Sequence, residues 1–281
     1  MLELCDRITL PGGVRLEAGA LVDDVRGTRY PLNATAETVV AAGGAPLERV
    51  ATQVAERWSV PHEDARRDVL RFAWTLNGHG LANISRGAGR IARARVGLML
   101  ALKLLPAGRV PGAMLDRRPL DTDSIAKAAI STVRAIGGRA LVLGVAAAVC
   151  LFAVSLSVGG VSLLEPVAIG TAGAAALLVH ELGHATALRG IPAALVLDRG
   201  RVSVIHAPVS ASRGVVVALA GPAVPTVVGL VLSLLALRLG SPLLAFLACP
   251  TTGHALTATV ACRDGRAACL PEVSPPPREV T

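Results

Sequence analysis

Aromatic side chains are nearly missing from this sequence: three Phe, two Trp and one Tyr in 281 residues. The apolar content, 52% of the chain, is therefore almost entirely aliphatic. Charge is scarce as well, at 17% against about 25% in ordinary soluble domains. The deficit is uneven, because charged residues are frequent up to about Arg139 and sparse beyond it. A uniformly soluble chain is thereby excluded, and a soluble N-terminal part joined to a membrane part is expected. Five cysteines (Cys5, Cys150, Cys249, Cys262 and Cys269) form no CxxC pair and are odd in number, which argues against a disulfide framework or a thiolate metal site. Acidic residues are outnumbered 20 to 28, for a net charge of +8. The basic residues flank the apolar runs without interleaved aromatics, a pattern of topology determinants and anionic-lipid contacts, and no nucleic-acid partner is expected. Met1 to Arg15 is charged and has no apolar core, so no signal peptide is expected and the N-terminus is placed in the cytoplasm.

What is present begins with a small α/β pattern between Leu10 and about Ser85. Val14 to Glu17 alternates, Ala20 to Val22 is apolar, and Val25-Arg26-Gly27-Thr28 supplies a turn before Tyr30-Pro31-Leu32. Asn33 can cap a helix running to Ala42, stopped by Gly43-Gly44. A second helix from Pro46 carries Leu47, Val50, Ala51 and Val54 on one face. A third, after Pro61, aligns Val69, Phe72, Ala73 and Leu76 and ends at Asn77-Gly78. With a short return over Gly80 to Ile84, residues 1–85 are expected to form a small α+β winged-helix-like domain.

The run from Val14 to Gly44, followed by Pro46 to Ile84, resembles a PqqD-like domain, through its strand pair, its Leu32-Asn33 junction and the order of its helices. The resemblance implies a recognition element for ribosomally made, modified peptides (RiPPs), in which an unmodified leader peptide adds as a strand to the sheet edge. The third helix mixes Glu63, Asp64 and Asp68 with Arg66 and Arg67, so it offers no clean basic face for DNA.

Residues 86–137 read as a basic linker. Arg86, Arg90, Arg93 and Arg95 precede an apolar run of about ten residues around Lys103, too short to span a bilayer and suited to the interface. The stretch around Arg117-Arg118-Pro119 is expected to be polar and mobile. Residues 138–270 read as an α-helical multi-pass membrane domain of about four transmembrane helices, near Ala140–Val158, Glu165–Leu188, Val215–Leu237 and Leu243–Cys262. Residues 271–281 are expected to be a disordered tail. Basic residues cluster before the first span, between the second and third, and after the fourth, while only Arg238 falls in an opposite loop. The positive-inside rule then puts both termini on the cytoplasmic side of the cell membrane.

Within the second span stands His180-Glu181-Leu182-Gly183-His184, an HExxH motif. Residues i and i+4 share a helix face, so both imidazoles can reach one metal ion, and Glu181 can accept a proton from the attacking water. Ionisable groups inside an apolar helix are costly and are usually functional. Zinc catalysis needs a third protein ligand, and the candidates are Asp264, His254 and His206. Topology brings Asp264 to the cytoplasmic side, the side that His180 and His184 approach. A regular fourth helix would set His254, ten residues earlier, about 15 Å deeper than Asp264, where it reads as a satisfied buried histidine ahead of a substrate contact.

These residues resemble the site-2 protease family of intramembrane metalloproteases. Its HExxH corresponds to His180-Glu181-x-x-His184, its Asp-Gly motif to Asp264-Gly265 and its Gly-Pro element to Gly221-Pro222. The resemblance implies Zn2+ held by His180, His184 and Asp264, with Glu181 as general base. Two positions depart from the family: Pro225 stands where an Asn follows the Gly-Pro, and no Asn precedes the Asp-Gly near Cys249-Pro250. Between the second and third spans, Ala194 to His206 alternates around Asp198-Arg199-Gly200, as in a hairpin.

Together the two resemblances imply an intramembrane zinc metalloendopeptidase that hydrolyses a peptide precursor bound by its N-terminal domain, as in RiPP leader processing. Two other expectations stand beside it: a regulated protease cutting a membrane-bound anti-sigma factor, and a non-catalytic membrane scaffold that only binds a leader peptide.

Overall fold

The computed structural model describes residue 2 and residues 4–85, 115–157, 162–198 and 202–258. The chain is mostly helical, with short strands concentrated in its N-terminal region, and it divides into two compact units. One comprises the described residues up to Pro119 together with Ala194–Ile205; the other comprises Leu120–Ala193 and the described residues from His206 onward.

In the first unit, β1 (Arg7–Thr9) pairs antiparallel with β5 (Asn83–Ser85). β2 (Val14–Glu17), β3 (Ala20–Asp23) and β4 (Thr28–Pro31) form an antiparallel meander. The turn between β2 and β3 needs Gly19 at φ +71°. Helix α1 (Ala34–Ala41) starts where its cap dictates, with the Asn33 side chain accepting from the Ala36 amide at 2.8 Å. Helix α2 (Leu47–Trp58) buries Leu47, Val50, Ala51 and Val54, the face its sequence spacing marks out. Helix α3 (His62–Gly78) buries Val69, Ala73 and Leu76, while Phe72 is only partly covered. These residues join Ile8, Leu21, Val39 and Leu81 in one core, where full burial of a Leu or Val contributes about 1.5–3 kcal/mol.

The expectation of a mobile polar stretch at Arg117-Arg118-Pro119 does not hold. Residues Asp116–Leu120 form strand β6, and Arg117 is fully buried. Its guanidinium donates two parallel hydrogen bonds to Asp23, at 2.7 and 2.8 Å, with both side chains fully enclosed. A buried charge is tolerable only with such a partner, and bidentate pairing is the strongest form. Burial by itself pushes the Asp23 carboxyl up, but the hydrogen bonds and charge of Arg117, aided by Arg26, outweigh it and hold the group below its ordinary range. Two side-chain amides fasten the same segment: Asn77 exchanges hydrogen bonds with the backbone of Leu115, and Asn83 with that of Arg117. The ion pair joins residues 94 positions apart, a separation that no local pattern reveals.

β6 belongs to a three-stranded sheet of order β6-β7-β8, with β7 (Ala193–Leu197) and β8 (Val202–His206) on either side of the expected hairpin turn. Arg199 and Gly200 of that turn lie outside the described residues. β7, the middle strand, is buried at four of its five positions rather than alternating.

The second unit is built from helices α4 (Ile125–Ser157), α5 (Leu164–Ala187), α6 (Ala211–Leu239) and α7 (Pro242–Gly253), ending in a 3₁₀ turn (His254–Ala258). Among the described residues, α4, α5 and α6 are long and apolar enough to cross a membrane. α4 begins well before the span expected from Ala140. Its 33 residues rise about 50 Å, more than the ~30 Å of a bilayer core, so its turns carrying Lys127, Arg134 and Arg139 exceed the apolar stretch. Leu141, Val142, Leu143, Val149 and Val154 are exposed on it, a surface suited to lipid. The expected fourth span is only partly described: α7 has 12 residues, carries Pro250 internally and gives way to the 3₁₀ turn at His254.

Glycines set the spacing between these helices. A Cβ on Gly144 of α4 would fall within 3.0 Å of the Gly170 carbonyl of α5, and one on Gly170 would meet the Gly144 carbonyl in return. Gly183 of α5 abuts the Ala220 carbonyl of α6, and Gly229 of α6 abuts Thr251 and Thr252 of α7. Small residues of this kind let backbones approach closely where apolar helices gain little from the hydrophobic effect.

Candidate metal centre

The HExxH residues lie in the last third of α5, and all three are buried: His180 and His184 are 7% exposed and Glu181 is 5%. Helical geometry puts His180 and His184 on one face, where their Nε2 atoms stand 3.2 Å apart and their rings meet edge to face. The other nitrogen of His184 fixes its tautomer. Nδ1 is 2.7 Å from the backbone carbonyl of Val217 on α6, and a carbonyl only accepts, so Nδ1 carries a proton and Nε2 is the nitrogen that presents a lone pair in the neutral form. A backbone carbonyl holding the outer ring nitrogen is the usual support of a metal-binding histidine.

The close contact of α5 with α6 depends on two glycines. Gly183, inside the motif, lets the Ala220 carbonyl approach. Gly221 stands against the His184 ring, and a Cβ there would come within 3.0 Å of Nε2, Cε1 and Cδ2 alike. The glycine of the Gly221-Pro222 element singled out in the sequence therefore leaves the room that the ring occupies. Pro222 and Pro225 withhold the amide donors that would reach the carbonyls of Ala218 and Gly221 in a regular helix. At the end of α5, Arg213 donates to the carbonyls of Ala187 and Arg189, supplying helix-terminal acceptors with a cationic cap.

The remaining candidates for a third ligand fall in different places. Asp264 lies outside the described residues. His206 ends β8, and its Nδ1 donates to the carbonyl of the adjacent Ala207. His254, expected about 15 Å deeper than Asp264 on a regular helix, instead opens the 3₁₀ turn with its ring centroid 5.2 Å from that of His180. Pro250 inside α7 and Gly253 at its end are the sequence signals of this break. Among the described residues no three His, Cys, Asp or Glu groups form a ready metal cluster.

The spacing of the two imidazole nitrogens is compatible with a shared zinc ion. Two nitrogens each about 2.0–2.1 Å from one tetrahedral ion stand roughly 3.3 Å apart, close to the 3.2 Å seen between the two Nε2 atoms. The same spacing also permits a hydrogen bond from His180 to His184, so metal content discriminates the two arrangements. No family model, no curated protein and no solved structure matches the chain.

Proposed function

We propose that this chain is an intramembrane zinc metalloprotease that cuts a peptide precursor. The observation that carries the reading is the pair of buried Nε2 atoms 3.2 Å apart, with His184 held in the metal-binding tautomer by Val217. In this reading His180 and His184, with Asp264 as third protein ligand, hold the ion. Bound zinc supplies Lewis-acid polarisation and makes water acidic enough to ionise near pH 7. Glu181 takes the proton of the attacking water on its carboxylate and delivers it to the departing amide nitrogen. The buried setting of Glu181 strengthens its interactions with both groups.

The N-terminal unit serves in this proposal as a winged-helix-like capture domain for a RiPP leader peptide, which would pair with a sheet edge. The membrane part would have four spans and both termini in the cytoplasm, so that substrate, capture domain and zinc share one side of the cell membrane. The test is Glu181→Gln in the full-length protein in detergent micelles, with fluorescein-labelled casein as the probe. The variant should keep its zinc and lose cleavage by at least ~10³-fold. Cleavage at the wild-type rate in that variant would sink the proposal.

A further inference from the structure

A third imidazole reaches the site from a different element. His254 follows α7, which packs on α5, and its ring is tilted 42° to that of His180 with centroids 5.2 Å apart. Its backbone carbonyl accepts from Thr257 Oγ1 at 2.7 Å, which steadies the turn. Its Nδ1 is buried and has no hydrogen-bond partner among the described residues. Nearly all buried polar atoms are hydrogen-bonded, which leaves this nitrogen's bonding capacity to a partner other than the described residues. His254 stands beside the His180–His184 pair, at nearly the same ring separation from His180 as His184 has.

We propose that His254 is a catalytic hydrogen-bond donor whose Nδ1–H binds the carbonyl oxygen of the scissile peptide bond. The assignment rests on the hydrolytic reading above. In the first step the water oxygen bonds to the carbonyl carbon, its proton passes to Glu181, and the C=O π pair moves onto the carbonyl oxygen. In the second step that pair re-forms the C=O bond, the C–N bond breaks, and the proton goes from Glu181 to the leaving nitrogen. A fixed donor aimed at the oxygen that gains charge stabilises the transition state more than the bound substrate. Its loss therefore lowers kcat more than it raises KM. A ring with a proton on Nδ1 can donate from that atom.

The experiment compares His254→Ala, His254→Asn and His254→Gln in the full-length protein in detergent, with zinc content and cleavage of fluorescein-labelled casein as readouts. His254→Ala should retain wild-type zinc and lose roughly 10²-fold in kcat with KM changed by less than about twofold. His254→Asn places an amide N–H near the position of Nδ1 and should recover about tenfold of that loss. His254→Gln carries its donor further out and should stay as impaired as the alanine variant, which keeps the comparison decisive even where His254→Ala fails to fold. Zinc lost in proportion to activity would make His254 a ligand and overturn the assignment. So would a wild-type kcat in His254→Ala beside an inactive Glu181→Gln, the outcome expected if an ordered water occupies Nδ1. Cleavage persisting in Glu181→Gln removes the hydrolytic reading and this assignment with it.

Discussion

His184 on α5 and Val217 on α6 are joined by a 2.7 Å hydrogen bond from the imidazole Nδ1 to the backbone carbonyl. That bond sets the tautomer of the ring, fixes its rotation and points Nε2 towards His180. It also makes the site a property of two helices, since a shift of α6 against α5 would release the ring.

Gly221→Ala tests this dependence. A methyl group at Gly221 would occupy the space of the His184 ring, which cannot move without breaking its bond to Val217. Zinc affinity should fall by about 10- to 100-fold, the usual effect of disturbing a ligand's support, while the helical content of the protein stays unchanged. Competition against a chelator of known affinity measures it.

The buried pair of Asp23 and Arg117 should dominate the response of the N-terminal unit to mutation. Asp23→Asn leaves a guanidinium enclosed without its countercharge and should cost about 3–5 kcal/mol. Trp58 and Trp74 are the two tryptophans of the chain, and both lie in α2 and α3 of this unit. Their fluorescence therefore reports its denaturant unfolding separately from the membrane helices.

The same pair gives a pH dependence with a defined sign. The Asp23 carboxyl is held below its ordinary value in the folded protein, so the folded state binds the proton less readily than the unfolded chain. Its stabilising contribution is complete above the unfolded value of about 3.9 and is lost as pH falls through the lower folded value. Tryptophan-monitored unfolding should weaken in acid below about pH 4, and Asp23→Asn should flatten that part of the profile.

Helix spacing provides a further test. Gly144→Leu would drive a side chain into the backbone of α5 at Gly170. Overpacking of this order costs roughly 1–3 kcal/mol and should lower the melting temperature of the detergent-solubilised protein. Gly173→Leu, on the same helix as Gly170 but with open space around it, should leave the melting temperature unchanged.

Much of the local structure was legible because local chemistry dictates it. Asn33 announced the start of α1, the spacing of Leu47, Val50, Ala51 and Val54 announced the buried face of α2, and Gly183 and Gly221 stood in recognisable motifs. The HExxH spacing placed His180 and His184 on one face, as found. Long-range pairings were hidden. Arg117 reads as a solvated charge until Asp23 is placed against it, and Val217 gives no sign that its carbonyl supports a histidine. The closeness of His254 to His180 was not legible, because the hydropathy of its surroundings suggested a continuous span, whereas α7 stops at Gly253.

The zinc content of the purified full-length protein tests the central claim most directly. Metal analysis should find about one zinc per chain in the wild type and in Glu181→Gln, and close to none in His184→Ala. A wild-type protein that takes up no zinc, or a His184→Ala variant that keeps its full complement, would contradict the account.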